Sequence, residues 1–186
     1  MKDHPFYFLS QSFSYPEQKM RTADSKTLGL LAADMGMDSI PAALMEEIPL
    51  QDLQAEYVRL FINAVNGAVA HPNASIYIHD AGILRQQGYD DALAYYARAE
   101  MEPLITDEDP DHIVHELAFV GLLLEKNREE LLDEFLNKHL MTWYPSFLRK
   151  LLDAKPHPFY SVLGQVTDLC LKHISKEVVH EQETFS

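Results

Sequence analysis

EPLITDEDPDHIVHELAFVGLLLE, residues 102–125, decides the fold: an acidic loop punctuated by Pro103 and Pro110 runs straight into the most apolar helix of the chain. Ile113, Leu117, Val120 and Leu124 recur at spacings of four, three and four, which is one face of an α-helix. Phe119, Leu122 and Leu123 fill other faces, so this helix is expected to be surrounded by protein. Pro110 suits the first helical position, which would make Asp109 the N-cap, its carboxylate accepting the free amides of the first turn. Asp107, Glu108 and Asp111 crowd the same loop, and Asp111-His112 sets a carboxylate beside an imidazole at the mouth of the helix. Chemistry, recognition and capping are all open to such a pair.

Working outward, helical periodicity dominates. A short amphipathic helix is expected over 4–13 with Phe6, Leu9 and Phe13 inward, stopped by Tyr15-Pro16. A second covers 22–35, and residues 36–49, with Gly36, Pro41 and Pro49, hold a short helical turn. From Pro49 to about Asn63, Leu50, Leu53, Tyr57, Leu60 and Phe61 fall at offsets 0, 3, 7, 10 and 11, again a helical stripe. Residues 64–78, AVNGAVAHPNASIYI, break the pattern and read as an irregular crossing, with Ile76-Tyr77-Ile78 extended. Helices are expected over 80–87 and, after a break at Gly88, over 90–101. Further helices follow over 128–140, from Pro145 to before Pro156, and from about Pro158 to Lys176, with a frayed polar tail over 177–186. No alternating strand pattern occurs. The expected fold is all-α, one bundle of about nine helices over 1–186, with an N-terminal half to about 101, a hinge at 102–111 and a C-terminal half over 112–176.

Composition narrows the function. A chain of 186 residues fits one domain and can bury roughly 70% of its unfolded surface. No stretch approaches the ~20 apolar residues of a membrane helix, and stable membrane insertion is not expected. MKDHPFYFLSQSF places an acid and a proline where a secretory signal needs an apolar run, so a cytoplasmic location is expected. Cys170 is the single cysteine, which excludes an internal disulfide. The formal charge of −14 argues against nucleic acid and anionic membranes, and would steer a basic partner towards the chain. The same acidity also serves solubility.

Motifs for chemistry are sparse. His112 and His115 stand three apart on a helix, yet H-I-V-H-E is neither H-E-x-x-H nor H-x-x-E-H, and spacing places no third ligand; no metal is expected. His79-Asp80 resembles the His-Asp dipeptide of all-helical metal phosphohydrolases, again without placed partners. There is no G-x-S-x-G elbow and no phosphate-binding glycine loop, and Cys170 lies in an apolar stripe. No cofactor is expected. A metal-dependent or Asp-His hydrolase remains the enzymatic alternative to a binding domain.

Several stretches, taken in order, carry a resemblance. They are EYVRLF (56–61), the proline-containing crossing HPNASIY (71–77), Tyr96-Ala97-Arg98 through Glu102-Pro103, EDPDHIVHELAFVGLLLE (108–125), and the pair FLNKHLMTWYPSF (135–147) and FYSVLGQVTDLCL (159–171). Together they resemble the TorD/DmsD/NarJ-type redox-enzyme maturation chaperones over roughly 50–175, with a looser echo in FLSQSFSYP (8–16). The family signature has proline directly after its glutamate, whereas here Asp109 follows Glu108 and the proline is Pro110. The signature is shifted, with the Asp-His pair intact and the part of Glu108 open. The resemblance implies a chaperone rather than an enzyme. It would bind the twin-arginine signal peptide of a molybdoenzyme catalytic subunit, and as in some members its apo body too, until cofactor insertion is complete. It further implies a monomer or a domain-swapped dimer, and a signal-peptide site made of Tyr57, Leu60, Phe61, Pro72, Ser75, Tyr77, Glu108, Asp111, His112 and His115.

Overall fold

The structure, a computed structural model, describes residues 4–17, 22–37, 39–46, 48–62, 69–78, 84–85, 87–101 and 108–184, without the side chains of 22, 23, 45 and 178–184. It is all-α. Eight α-helices are described: α1 (Pro5–Ser12), α2 (Thr22–Asp34), α3 (Leu50–Tyr57), α4 (Gln87–Arg98), α5 (Ile113–Glu125), α6 (Glu129–Phe135), α7 (Met141–Asp153) and α8 (Pro158–Thr184). A π-turn (Val58–Ile62) prolongs α3, and another (Leu136–Leu140) joins α6 to α7. Among the described residues this leaves seven continuous helices and two 3₁₀ turns (Ala42–Met45 and Ala74–Ile76), where about nine helices were expected.

The chain forms two compact units, the first from residues 1–13, 72–146 and 171–186, the second from 14–71 and 147–170. In the first unit α1 packs along α5, burying Phe6 and Leu9. Ser10 Oγ donates to the Val114 carbonyl at 2.7 Å, and a Cβ on Gly121 would stand 3.1–3.3 Å from the Tyr7 ring. A methyl group there would have to push the Tyr7 ring back by a few tenths of an ångström. α5 is surrounded as its composition demands, with Ile113, Leu117, Phe119, Val120 and Leu123 at most 1% exposed. Edge-to-face rings tie it to its neighbours, Tyr96–Phe119 at 4.8 Å and Phe119–Phe135 at 4.9 Å, and Tyr95–Phe135 at 5.1 Å joins α4 to α6. Such pairs add about 0.5–1.5 kcal/mol each beyond their buried area.

In the second unit the stripe of α3 and its π-turn forms an aromatic cluster. Tyr57 and Phe61 meet at 5.0 Å, and Phe61 meets Tyr160 of α8 at 5.4 Å and Phe147 of α7 at 6.2 Å. The π-turn carries one residue more per turn than an α-helix. Leu60 and Phe61 point inward at 0% and 3% exposure while Ile62 is left 51% exposed, and the Leu60 carbonyl accepts from the Ala70 amide at 2.9 Å. Glu56 braces this end: its carboxylate takes Arg59 Nε at 2.7 Å, Arg59 Nη2 at 2.8 Å and the backbone amide of His157 at 2.8 Å.

Several local expectations are corrected. Gly88 does not break a helix but lies in the first turn of α4, where a Cβ would meet Ser75 N at 2.6 Å and the Ala74 carbonyl carbon at 2.8 Å. Its missing side chain serves close approach, not flexibility. Pro145 lies inside α7 and does not start it. Its ring would crowd the Met141 carbonyl of a regular helix. Here the π-turn ends immediately before Met141, and Thr142 Oγ1 donates to the His139 carbonyl at 2.6 Å, serving an acceptor where the bonding register changes. Ile76 closes a 3₁₀ turn instead of starting an extended run. α8 continues past Lys176 to Thr184. The expected 80–87 helix falls largely outside the described residues, as do 102–107 of the expected hinge; Leu84 and Arg85 form a bend.

Candidate functional site

Asp111 organises the first unit. Its carboxylate is 0% exposed; Oδ2 accepts from the Ser75 amide at 2.8 Å and from Ser75 Oγ at 2.6 Å, and Oδ1 accepts from Asn73 Nδ2 at 3.3 Å. The Ser75 oxygen in turn accepts from the Tyr89 amide at 3.1 Å. One hydroxyl thus passes the hold of Asp111 on to the first turn of α4, the turn that Gly88 allows to come so close.

The backbone follows the same path. The Ala74 amide donates to the Asp111 carbonyl at 3.0 Å, the Ile113 amide donates to the Pro72 carbonyl at 2.8 Å, and Asn73 and His112 form an isolated antiparallel bridge. These bonds hold His112 extended, at φ −75° and ψ 141°, and delay the helix until Ile113. The N-cap is therefore His112, whose Nδ1 accepts from the Val114 amide at 3.3 Å, and not Asp109. A tertiary demand overrides the local proline signal: the backbone bonds of Ala74 to the Asp111 carbonyl and of Ile113 to the Pro72 carbonyl hold this stretch against the crossing, so the helix starts beyond the reach of the Asp109 side chain. Asp109 instead pairs with the exposed Arg85 at 3.0 Å, a solvated contact that adds little stability. Its carbonyl accepts from the His112 amide at 2.9 Å. Tyr96 Oη donates to the Pro110 carbonyl at 2.7 Å.

An Nδ1 that accepts leaves the proton of a neutral His112 on Nε2, which lies 3.6 Å from Glu108 Oε2. His112 is 3% exposed and Glu108 43% exposed, so the acid presents the polar surface there and the imidazole stands behind it. Burial lowers the pKa of the half-buried His115 below its ordinary value, with a hydrogen bond to the Glu108 backbone acting in the opposite sense.

The ten residues picked from sequence fall into two groups. Pro72, Ser75, Tyr77, Glu108, Asp111, His112 and His115 belong to the first unit, where the bonds above gather the crossing and the start of α5. Tyr57, Leu60 and Phe61 belong to the second unit and form its core at 1%, 0% and 3% exposure. Pro72, Ser75, Asp111 and His112 are buried too, leaving Tyr77, Glu108 and His115 with accessible surface. An Asp111 carboxylate so enclosed and saturated with donors offers no general base to solvent.

Sequence reasoning missed a second buried carboxylate. Glu116 of α5 is 0% exposed; Oε1 stands 2.7 Å from His139 Nε2, and Oε2 accepts from Trp143 Nε1 at 3.0 Å. Burial pushes the pKa of Glu116 up, against the pull of His139. Burial alone would lower that of His139, but the Glu116 carboxylate outweighs it and holds the imidazole above its ordinary value. The Trp143 ring stacks on Tyr77, centroids 5.8 Å apart and planes 17° apart. The signal was present in the sequence: Glu116 lies at offset three from Ile113 and next to Leu117, an acid in the apolar stripe, which demands a buried partner.

Among the described residues no three His, Cys, Asp or Glu side chains gather as a metal site, and His79 and Asp80 lie outside those residues. No helix among them is long and apolar enough to cross a membrane.

The all-α fold is matched by what the chain resembles. The family model described as nitrate reductase delta subunit matches residues 18–149, and the chain belongs to that family, the TorD/NarJ group. Its curated relatives are named as chaperones, not as enzymes. The chain is 30% identical over 151 residues to the chaperone protein TorD of Vibrio atlanticus, covering 73% of this chain and 68% of the relative. It is 26% identical over 142 residues to TorD of Actinobacillus succinogenes, covering 72% of each. It is 33% identical over 73 residues to the Tat proofreading chaperone DmsD of Salmonella typhi, covering 39% and 36%. A crystal structure described as a redox enzyme maturation protein from Archaeoglobus fulgidus superposes with a TM-score of 0.59 over 96% of both chains, at 22% identity. That last likeness shows the fold alone.

Proposed function

We propose that this chain is a cytoplasmic maturation chaperone that binds the twin-arginine signal peptide of a molybdenum-cofactor oxidoreductase. It also engages the apo body of that catalytic subunit and holds it back from export until the cofactor is inserted. The whole chain, 1–186, acts as one chaperone, as a monomer or a domain-swapped dimer hinged at 102–111. The observation that carries this reading is the accessible Glu108 carboxylate above a rung made rigid by Asp111, on a chain of formal charge −14. A basic leader is drawn to such a surface; His115, hydrogen-bonded to the Glu108 backbone, and the half-buried Tyr77 of the same unit add accessible area to it.

In this reading Asp111 and His112 shape the site from beneath, and Glu108, Tyr77 and His115 touch the peptide. Exposed charge pairs contribute only ~0–1 kcal/mol each, so apolar contact supplies most of the affinity and the acids supply orientation and encounter rate. Calorimetry with a panel of synthetic twin-arginine leaders tests it. Binding that weakens with added salt and with Glu108→Gln is expected; a panel in which no leader binds overturns the reading.

A further inference from the structure

The two fully buried carboxylates among the described residues, Asp111 and Glu116, act on the same surface residue from different sides. Asp111 fixes the backbone turn that Tyr77 closes, through Ser75. Glu116 reaches the Tyr77 ring through Trp143. We propose that Glu116 is a positioning residue: by orienting the Trp143 indole it sets the Tyr77 ring at the edge of the peptide site, and so governs peptide affinity without touching the peptide. The proposal rests on the signal-peptide reading above.

The chemistry favours orientation over stability as the purpose of this acid. A well-packed leucine in the apolar stripe of α5 would avoid the desolvation of a carboxylate, so a buried ion pair there is poor evidence of stabilisation. What the carboxylate supplies is direction. It engages two partners on separate oxygens: Oε2 accepts the Trp143 Nε1–H at 3.0 Å, and Oε1 lies 2.7 Å from His139 Nε2. An indole in a purely apolar cavity can be packed at more than one angle; one whose N–H must reach Glu116 Oε2 has its plane chosen for it. His139 is itself wedged, stacked on Phe135 at 5.2 Å and tilted against Tyr95 at 5.8 Å, so it anchors the other oxygen. The indole plane then dictates that of Tyr77, which lies only 17° from parallel to it. Tyr77 is half-buried: its hydroxyl is enclosed, and only part of the side chain is accessible.

The chain has one tryptophan, so ¹⁵N-labelled protein gives one indole N–H signal, that of the group hydrogen-bonded to Glu116. In the wild type that signal should survive transfer to D₂O. Glu116→Gln, which keeps an acceptor oxygen, should preserve it; Glu116→Met should abolish the protection and the near-ultraviolet dichroism of the stacked rings. Affinity for a synthetic twin-arginine leader should fall about tenfold in Glu116→Met and in Tyr77→Leu, and Glu116→Met should add nothing in the Tyr77→Leu background. Should Glu116→Met not fold, Trp143→Phe removes the N–H donor while keeping a ring, and it should lose affinity only where Tyr77 is present. Equal losses in both backgrounds, or an indole signal indifferent to Glu116→Met, would overturn the proposal. A wild-type chain that binds no leader refutes the parent reading and the affinity effect with it, and the indole signal alone then decides whether Glu116 orients the ring pair.

Discussion

Replacing Asp111 by alanine separates a buried brace from a contact residue. The substitution removes the acceptor of three hydrogen bonds and strands the Ser75 amide, Ser75 Oγ and Asn73 Nδ2, at residues 0% and 6% exposed. A buried donor left without a partner costs about 1–3 kcal/mol. The Ser75 hydroxyl can rotate to another acceptor, whereas the amide cannot, so the sum is about 3–5 kcal/mol. That is a large part of the ~5–15 kcal/mol that holds a domain together. For a chain of this size it lowers Tm by roughly 6–20 °C. Glu108→Gln, at a side chain 43% exposed, should stay within ~0.5 kcal/mol of wild type. Thermal unfolding followed by circular dichroism, with Trp143 emission as a second probe, makes the comparison. An Asp111→Ala protein melting within about 2 °C of wild type would show that the carboxylate is not the hub the geometry makes it.

Further outcomes follow from other contacts. Gly88→Ala should destabilise by about 1–3 kcal/mol despite the better helix propensity of alanine, because its Cβ would meet backbone atoms of Ser75 and Ala74 at 2.6 and 2.8 Å; chemical denaturation measures it. Glu56 has a lowered pKa: burial alone would raise it, but the Arg59 hydrogen bonds and the His157 amide prevail. Its folded pKa lies below the unfolded one, so its contribution is fully present above the ordinary value of 4.5 and is lost as pH falls through the folded value. Glu56→Gln should therefore flatten the acid limb of the stability profile and leave its alkaline limb unchanged. Burial pushes the Cys170 thiol up to about 11, so the native protein should react slowly with thiol reagents at pH 8 and rapidly once unfolded.

Much of this fold was legible because apolar periodicity carries it. The stripe of Ile113, Leu117 and Val120 gave α5 its length and its surrounded state, and the Tyr57–Phe61 spacing gave the core of the second unit. Local punctuation misled where tertiary contacts set the backbone. Pro110 and Asp109 have every feature of a helix start, yet the rung between Pro72 and Ile113 delays the helix by three residues, to Ile113. Gly88 and Pro145 read as breaks because propensity cannot anticipate a turn packed against a glycine or a π-turn ahead of a proline. For the site, Asp111 and His112 were found by pattern but given an exposed role; their burial depends on Asn73 and Ser75, some 36–38 residues away, which no local spacing encodes. Glu116 was overlooked although its place in an apolar stripe was visible, since its partners His139 and Trp143 lie in the π-turn and the helix after it.

The central claim is recognition of a basic leader by the surface around Glu108. Its most direct test is isothermal calorimetry of the wild-type chain with a synthetic twin-arginine leader and with the same leader carrying glutamine at both arginines. The account predicts binding of the arginine leader that weakens as salt is added, much weaker binding of the glutamine leader, and a smaller difference between the two in Glu108→Gln. Equal binding of both leaders, or a difference untouched by Glu108→Gln, would contradict it.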